Sequence, residues 1–90
     1  MNFIKEEHRV YLQDEQKQLL AEVTFPEVSL GNVDIDHTYV DDSLRGQGIA
    51  GQLMLAAYEV IKASGKKTFL SCPYAKKWFA QHLDYQDIVN

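Results

Sequence analysis

The sequence predicts a mixed fold of the α/β (α+β) class, in which an antiparallel meander is joined to a parallel strand–helix–strand unit. Three stretches in the first 40 residues alternate apolar and polar side chains, which is typical of half-buried strands. From Ile49 onward the apolar residues recur at helical spacing instead. A glycine-rich segment separates the two patterns. The predicted order is β-β-β-α-β-α, in a single domain spanning residues 1–90.

The three predicted strands are residues 9–13, 18–25 and 33–40. Pro26 ends the second strand because proline cannot donate to a strand ladder. Gly31 and Asn32 favour a turn before the third. In the third strand one predicted face holds Val33, Ile35, His37 and Tyr39, and the other holds Asp34, Asp36, Thr38 and Val40.

Two helices and a buried strand are predicted after the glycine segment. The apolar stripe of the first helix is Ile49, Leu53, Ala56, Ala57, Val60 and Ile61. Gly65 is expected to end this helix in a left-handed conformation. The strand is 67–71, and the second helix is 73–83, with Pro73 in its first turn. Its predicted stripe is Tyr74, Ala75, Trp78, Phe79 and His82, and residues 84–90 are a candidate for a last short strand.

Composition narrows the class of partner. Thirteen acidic residues against nine basic ones give a net charge of −4, which disfavours nucleic acid and anionic membranes and favours neutral or cationic substrates. The single cysteine, Cys72, fits a reducing compartment. The first residues do not resemble a signal peptide, and no stretch approaches the roughly 20 apolar residues of a membrane span. We expect a cytoplasmic protein without a metal site, either a monomer or a homodimer.

The segment "SLRGQGIAG", residues 43–51, is typical of a loop that brings a phosphate close to a helix N-terminus. A nucleoside triphosphate loop would need a Lys-Ser or Lys-Thr pair that is absent here. Gly46, Gly48 and Gly51 match the bare spacing of a dinucleotide fingerprint, but the preceding strand belongs to a meander. A diphosphate would gain backbone N–H donors and the guanidinium of Arg45. The alternative is a structural turn with a solvated arginine.

Read as Arg45-x-x-Gly48-x-Ala50, the segment resembles the R/Q-x-x-G-x-G/A motif of the Gcn5-related N-acetyltransferases. The resemblance covers residues 33–85, and "DHTYVDDSLRGQGIAGQL" with "SCPYAKKWF" is similar to the small bacterial YjdJ-type members. It implies acetyl-coenzyme A as cofactor. The residues that it implies for binding are Arg45, Gly46, Gln47, Gly48, Ile49 and Ala50, with main-chain contacts from Tyr39 and Val40 and with Tyr74 beside the cofactor arm.

The resemblance also implies an activity, the transfer of acetyl to an amine. Members of the family usually place helices between their first strands, and this sequence has only short turns there. The acceptor site is therefore expected to be shallow or completed by another subunit, and suited to a protein lysine or another exposed amine. The alternative function is a non-catalytic sensor or interaction module that binds coenzyme A or acyl-coenzyme A.

Two residues are candidates for catalysis. His37 is a candidate general base, because histidine exchanges protons near neutral pH. Cys72 directly precedes Pro73, and a helix N-terminus favours a thiolate. By resemblance to the family pattern N-x-x-A-x-x-F-Y, Phe79 stands where a tyrosine acid is usual. Tyr74, Tyr85 or Cys72 is expected to replace that acid, and Cys72 is also a candidate nucleophile. The alternatives are an ordinary strand histidine and a small buried cysteine.

Overall fold

The computed structural model describes residues 2–90 and divides the first 40 residues into six short strands instead of three. The strands are β1 (Ile4–Glu6), β2 (Arg9–Gln13), β3 (Leu19–Thr24), β4 (Glu27–Ser29), β5 (Asn32–Ile35), β6 (His37–Val40) and β7 (Lys67–Leu70). The helices are α1 (Ile49–Ala63), between β6 and β7, and α2 (Pro73–Gln81), after β7. The predicted order is therefore retained, with two additional strands and with the third predicted strand divided in two.

The first sheet is antiparallel, with the strand order β1-β2-β3-β6. Val10 lies opposite Val23 and Leu12 opposite Ala21, and all four side chains are buried. Because alternate residues of a strand face the same side, they form one apolar surface, and α1 packs against β2 and β3. The prediction missed β1, whose three residues are all exposed and carry no alternating pattern.

The second sheet has the order β4-β5-β7 and contains the parallel pair. Strands β5 and β7 run parallel, with Val33 opposite Thr68 and Ile35 opposite Leu70. The predicted fold class, an antiparallel meander joined to a parallel strand–helix–strand unit, is confirmed. Strand β4 lies just after Pro26, at a position where no strand was predicted, and its three residues are exposed.

The chain passes from the second sheet to the first at Asp36, the one residue between β5 and β6. The Asp36 N–H donates to the carbonyl oxygen of Thr24 at 3.2 Å, and His37 is also paired with Thr24. Two residues thus oppose one, as in a β-bulge. The bulge inverts the alternation, so the predicted faces of residues 33–40 are wrong beyond Ile35. His37 and Tyr39 are exposed, whereas Thr38 and Val40 are half-buried.

The helices cover the inner faces of the sheets. The buried residues of α1 are Ile49, Leu53, Met54, Ala56, Ala57 and Ile61, close to the predicted stripe. Gly65 has a φ of 76°, the left-handed conformation expected after the helix. In α2 the buried residues are Ala75, Trp78 and Phe79, and His82 follows the helix end. Neither helix, within residues 2–90, has the length and apolar character needed to cross a bilayer.

The C-terminal segment is a 3-10 helix from Leu83 to Ile88, in place of most of the short strand considered for residues 84–90. Val89 forms a single bridge with Thr68, and the Asn90 N–H donates to the Thr68 carbonyl at 2.9 Å. Lys62 of α1 forms an ion pair with Asp87 at 2.8 Å. The segment is therefore fixed against both β7 and α1.

Candidate functional site

A short 3-10 turn, Asp42–Leu44, follows β6 and is fixed by the carboxylate of Asp41. This carboxylate accepts hydrogen bonds from the Ser43 N–H at 3.0 Å and from the Ser43 hydroxyl at 2.6 Å. These bonds, led by the one from the Ser43 hydroxyl, hold the pKa of Asp41 below its usual range. The turn directs the chain from the end of β6 to the start of α1.

Gly46 and Gly48 supply the backbone conformation that connects this turn to α1. Their φ angles are 80° and 73°, in the left-handed region that favours glycine. A Cβ atom built at either position would meet no other atom of residues 2–90 within 4 Å. Side chains are therefore excluded here by backbone conformation, and both glycines face open space.

The amide N–H groups of residues 46–51 donate to no acceptor within residues 2–90. The Arg45 N–H donates to the Asp42 carbonyl at 3.2 Å, and the next bonded amide is that of Gln52, which donates to Gly48 at 3.2 Å. Unpaired amides are expected in the first turn of any helix. Together with the helix dipole, they make this segment suitable for an anion.

A pocket of about 190 Å³ opens at this segment. Seven of the predicted binding residues line it: Val40, Arg45, Gly46, Gly48, Ile49, Ala50 and Tyr74. Tyr39 and Gln47, which were also predicted, do not. The Tyr39 hydroxyl instead donates to Asp41 at 3.1 Å, which raises the pKa of Tyr39, and Gln47 reaches the Ser43 carbonyl at 3.5 Å.

Arg45 is the one charged side chain that lines the pocket among the described residues. Its Nε atom lies 2.8 Å from Oδ1 of Asp42, and the two side chains are 75% and 89% exposed. An ion pair as exposed as this contributes at most about 1 kcal/mol, because solvent screens it. The guanidinium can therefore turn toward an anion in the pocket at small cost.

Tyr74, in the first turn of α2, also lines the pocket. Burial raises the pKa of its phenol above the usual value of 10.0, at which the hydroxyl is already protonated at neutral pH. A Cβ at Gly51 would lie 3.4 Å from the Trp78 indole nitrogen and 4.0 Å from the Tyr74 hydroxyl. Glycine at this position lets the two helices approach closely beside the pocket.

Strand β6 is the last strand of its sheet, so one of its edges has no partner strand among residues 2–90. The Asp41 N–H donates to the Leu20 carbonyl of β3 at 2.7 Å. Since successive amides of a strand point to opposite edges, the main-chain groups of Val40 and Thr38 face the free edge. Those of Tyr39, paired with Glu22, face β3.

His37 and Cys72, the two predicted catalytic residues, are not brought together. The Cys72 Sγ atom is 3.4 Å from the Thr38 hydroxyl, and the cysteine is only 5% exposed. His37 is next to Thr38 and therefore faces the other side of β6. Its Nε2 atom lies 3.8 Å from the Glu22 carboxylate, and its side chain is 55% exposed.

Comparison with known proteins identifies the family. The model of a family described as GCN5-related N-acetyl-transferase matches residues 9–88. The chain belongs to this family. A GCN5-like protein from Staphylococcus aureus, solved by NMR, is 32% identical, with a TM-score of 0.81 over 99% of this chain and 87% of that one.

Two further proteins are similar to part of this chain. Protein NATD1 of Xenopus tropicalis is 34% identical over 62 residues. The match covers 69% of this chain and 57% of that protein, so the chain spans little more than half the length of this relative. YhbS of Escherichia coli, solved in complex with CoA, shares the fold, with a TM-score of 0.61 over 84% of this chain and 48% of that one, at 23% identity. The YjdJ-type subgroup stays a prediction.

The position that resembles the family's tyrosine acid holds a buried side chain in this member. Phe79 is 1% exposed and belongs to the core, in edge contact with Trp78 at a ring separation of 4.9 Å. Of the predicted replacements, Tyr74 lines the pocket, whereas Tyr85 packs against Tyr58 at 4.9 Å. Of the two predicted tyrosines, Tyr74 is therefore the one beside the glycine loop.

Three residues of the site were not among the predicted site residues. Leu44 and Gly51 line the pocket, and Thr38 contacts Cys72. Gly51 is the third glycine of "GQGIAG", so the sequence motif was sufficient to include it among the site residues. Nothing in the sequence pattern indicated Thr38, because its orientation depends on the bulge at Asp36.

Proposed function

We propose that this chain is an acetyl-coenzyme A-dependent N-acetyltransferase that acetylates an exposed amine. The observation that supports this most directly is the row of unbonded amides at residues 46–51, beside a pocket in a member of the GCN5-related family. The CoA complex of the related YhbS agrees with a coenzyme A site on this fold. The acceptor class is inferred below from the shape and charge of the surface.

The residues present fit the diphosphate of coenzyme A. Free amides, two left-handed glycines and Arg45 supply donors and charge without side chains in the way. A pocket of about 190 Å³ is smaller than the roughly 300–1,000 Å³ of complete ligand sites, so it accommodates only part of the carrier. We assign the remainder to the free edge of β6.

Val40 is the residue that we assign to the reacting carbonyl. Acetyl-coenzyme A supplies acetyl as a thioester, whose carbonyl oxygen gains negative charge during acyl transfer. The Val40 N–H points to the free edge of β6, and the Val40 side chain lines the pocket. A preorganised amide at this place stabilises such a charge.

Tyr74 is the proton donor that we assign to the departing thiolate. Its phenol is beside the pocket and is protonated at neutral pH, so a proton is present where the thiolate would depart. His37 and Cys72 face opposite sides of β6, so we assign them no common step. His37 as a base and Cys72 as an acid or nucleophile remain separate predictions.

The acceptor that we propose is a cationic amine on a large molecule, such as a protein lysine. No helix of the described residues 2–90 lies between the first strands to enclose an acceptor pocket. Asp36, Asp41 and Asp42 flank β6, and within residues 2–90 only Asp42 of these three is paired with a cation, so this surface is acidic on balance. An open, acidic surface suits an exposed ammonium group better than a small buried metabolite.

The experiment is incubation with acetyl-coenzyme A and a panel of amines, namely free lysine, a lysine-containing peptide and a folded lysine-rich protein. Formation of coenzyme A is followed by chromatography, so that the thiol of Cys72 does not interfere. We expect release that depends on the amine and is fastest with the peptide or protein. Intact mass after acetyl-coenzyme A alone tests an acetylated Cys72, and His37→Gln tests the base.

A second candidate function is a coenzyme A-binding module without turnover. The buried, apolar Phe79 favours it, because the hydroxyl expected at that position by resemblance is missing. Tight binding of coenzyme A without amine-dependent release would support this function. Absence of binding at millimolar concentration would contradict both candidates.

A further inference from the structure

Asp42 is the acidic residue closest to the charged group of the pocket. The Asp42 carboxylate lies 2.8 Å from the Arg45 guanidinium, and Arg45 is the one charged residue that lines the pocket among the described residues. Both side chains are exposed. The pair thus lies at the mouth of the pocket. The Asp42 carboxylate occupies the Arg45 guanidinium, which is the group that an anionic ligand would bind.

The Asp42 carboxylate is not required for the shape of the turn. Asp41, not Asp42, accepts the hydrogen bonds from Ser43 that fix the 3-10 turn. The main-chain carbonyl of Asp42 accepts the Arg45 N–H at 3.2 Å, and this bond does not depend on the side chain. Within residues 2–90, Arg45 is the one partner of the Asp42 carboxylate.

A carboxylate and a diphosphate compete for the same guanidinium donors. Arginine binds both through the same planar fork, so contacts with one anion reduce those available to the other. The carboxylate also repels a neighbouring diphosphate, although solvent weakens this repulsion. Both effects act in the same direction and lower the affinity for the phosphate-bearing carrier.

We infer that Asp42 sets the affinity of the pocket for the carrier by competing with its diphosphate for Arg45. This inference rests on the proposed coenzyme A site and adds a residue that controls its strength. Removing the charge is expected to strengthen coenzyme A binding about twofold to fivefold, the range of one exposed charge contact. Pantetheine, which has no phosphate, is expected to bind both forms equally.

The test is calorimetry with coenzyme A and with pantetheine on the wild type, Asp42→Asn, Arg45→Gln and the double variant. Asp84→Asn removes the same charge in the 3-10 segment beyond the far end of α2, which is itself about 10 Å along the helix from Tyr74, and serves as the matched control. Thermal unfolding of each variant checks that the fold is retained. A salt titration of the wild type and Asp42→Asn provides a second measurement, because screening reduces the difference between them.

The inference is supported if Asp42→Asn tightens coenzyme A binding and if the gain shrinks in the Arg45→Gln background. An unchanged or weaker affinity of Asp42→Asn overturns it. The inference is also overturned if Asp42→Asn increases the affinity equally in the wild-type and Arg45→Gln backgrounds, or if Asp84→Asn increases it equally. In either case the effect would come from charge alone and not from competition for Arg45. If the wild type binds no coenzyme A, both the proposed function and this inference fail. In the other outcomes the wild type binds coenzyme A, and only the inference about Asp42 fails.

Discussion

Comparison of Gly48→Ala with a control glycine substitution separates two effects, the backbone strain of a left-handed alanine and the loss of a proposed ligand contact. Gly48 and Gly31 have φ angles of 73° and 78°, and a Cβ at either would meet no protein atom within 4 Å. Gly31 lies in the turn between β4 and β5 and does not line the pocket. Gly31→Ala is therefore a control that has the same strain without the ligand contact.

The expected loss of stability is similar for the two variants. A left-handed alanine costs about 1–2 kcal/mol, and part of this is offset because alanine makes the unfolded chain less flexible. We expect a net loss of about 1 kcal/mol each, and a fall in the unfolding midpoint of about 4–8 °C for a domain of this size. Thermal unfolding measures it.

Binding of coenzyme A is expected to distinguish the variants. Gly48→Ala places a methyl group in the pocket and should weaken binding about tenfold, whereas Gly31→Ala should leave it unchanged. Gly48→Glu adds a carboxylate beside the diphosphate and should abolish it. Calorimetry measures the affinity, and Trp78, the sole tryptophan, offers a fluorescence signal because its indole nitrogen is 3.4 Å from the Cβ position of Gly51.

Two results would refute this reasoning. One is equal weakening by Gly31→Ala and Gly48→Ala, which would mean that global strain, not ligand contact, controls binding. The other is wild-type affinity in Gly48→Glu, which would mean that the diphosphate does not approach this residue. Either result would remove the main support for the coenzyme A site.

Three further predictions concern the proton donor, the C-terminal segment and the core. Tyr74→Phe should lower kcat about 100-fold with little change in coenzyme A affinity, and an unchanged kcat would exclude Tyr74 as the acid. The hydrogen bond from Lys62 lowers the pKa of Asp87 below 3.8, so this pair stabilises the fold above that pH and ceases to do so as Asp87 becomes protonated in acid. Asp87→Asn should therefore lower the unfolding midpoint at pH 7, and this effect should shrink as the pH falls through the lowered pKa of Asp87. An effect that does not change with pH would contradict this. Leu53→Ala, at a fully buried site, should lower the free energy of unfolding in denaturant by about 2–5 kcal/mol. Leu55→Ala, at a site 37% exposed, should lower it much less, and equal losses would contradict the packing of α1.

The helical part of the fold could be predicted from local signals. The apolar stripe from Ile49 to Ile61, the left-handed Gly65 and Pro73 in the first helical turn each reflect a local energetic preference. Such signals are contained within a few neighbouring residues. The start of α2 and the helical span of α1 were therefore predicted close to their observed bounds.

The strands were less predictable because their identity depends on distant partners. Strands β1 and β4 have three exposed residues each and no alternating pattern, so only pairing with β2 and β5 defines them. The bulge at Asp36 depends on Thr24, twelve residues earlier. A sequence pattern records alternation but not the point where a strand changes sheet.

The same distinction applies to the candidate site. The glycine loop was predicted because its residues are adjacent in the chain. The contact between Thr38 and Cys72 joins residues 34 positions apart, and the orientation of His37 depends on the bulge. Only the three-dimensional arrangement could therefore separate the two predicted catalytic residues.

The extra residue at Asp36 determines which functional group stands beside the lone thiol. In a straight strand of the same sequence, His37 and Tyr39 would continue the inward row of Val33 and Ile35, and Cys72 would meet an imidazole. With the bulge it meets a hydroxyl at 3.4 Å. A change of one residue in chain length at this point would thus exchange the chemistry available to the cysteine, and it would also turn the Val40 side chain away from the pocket.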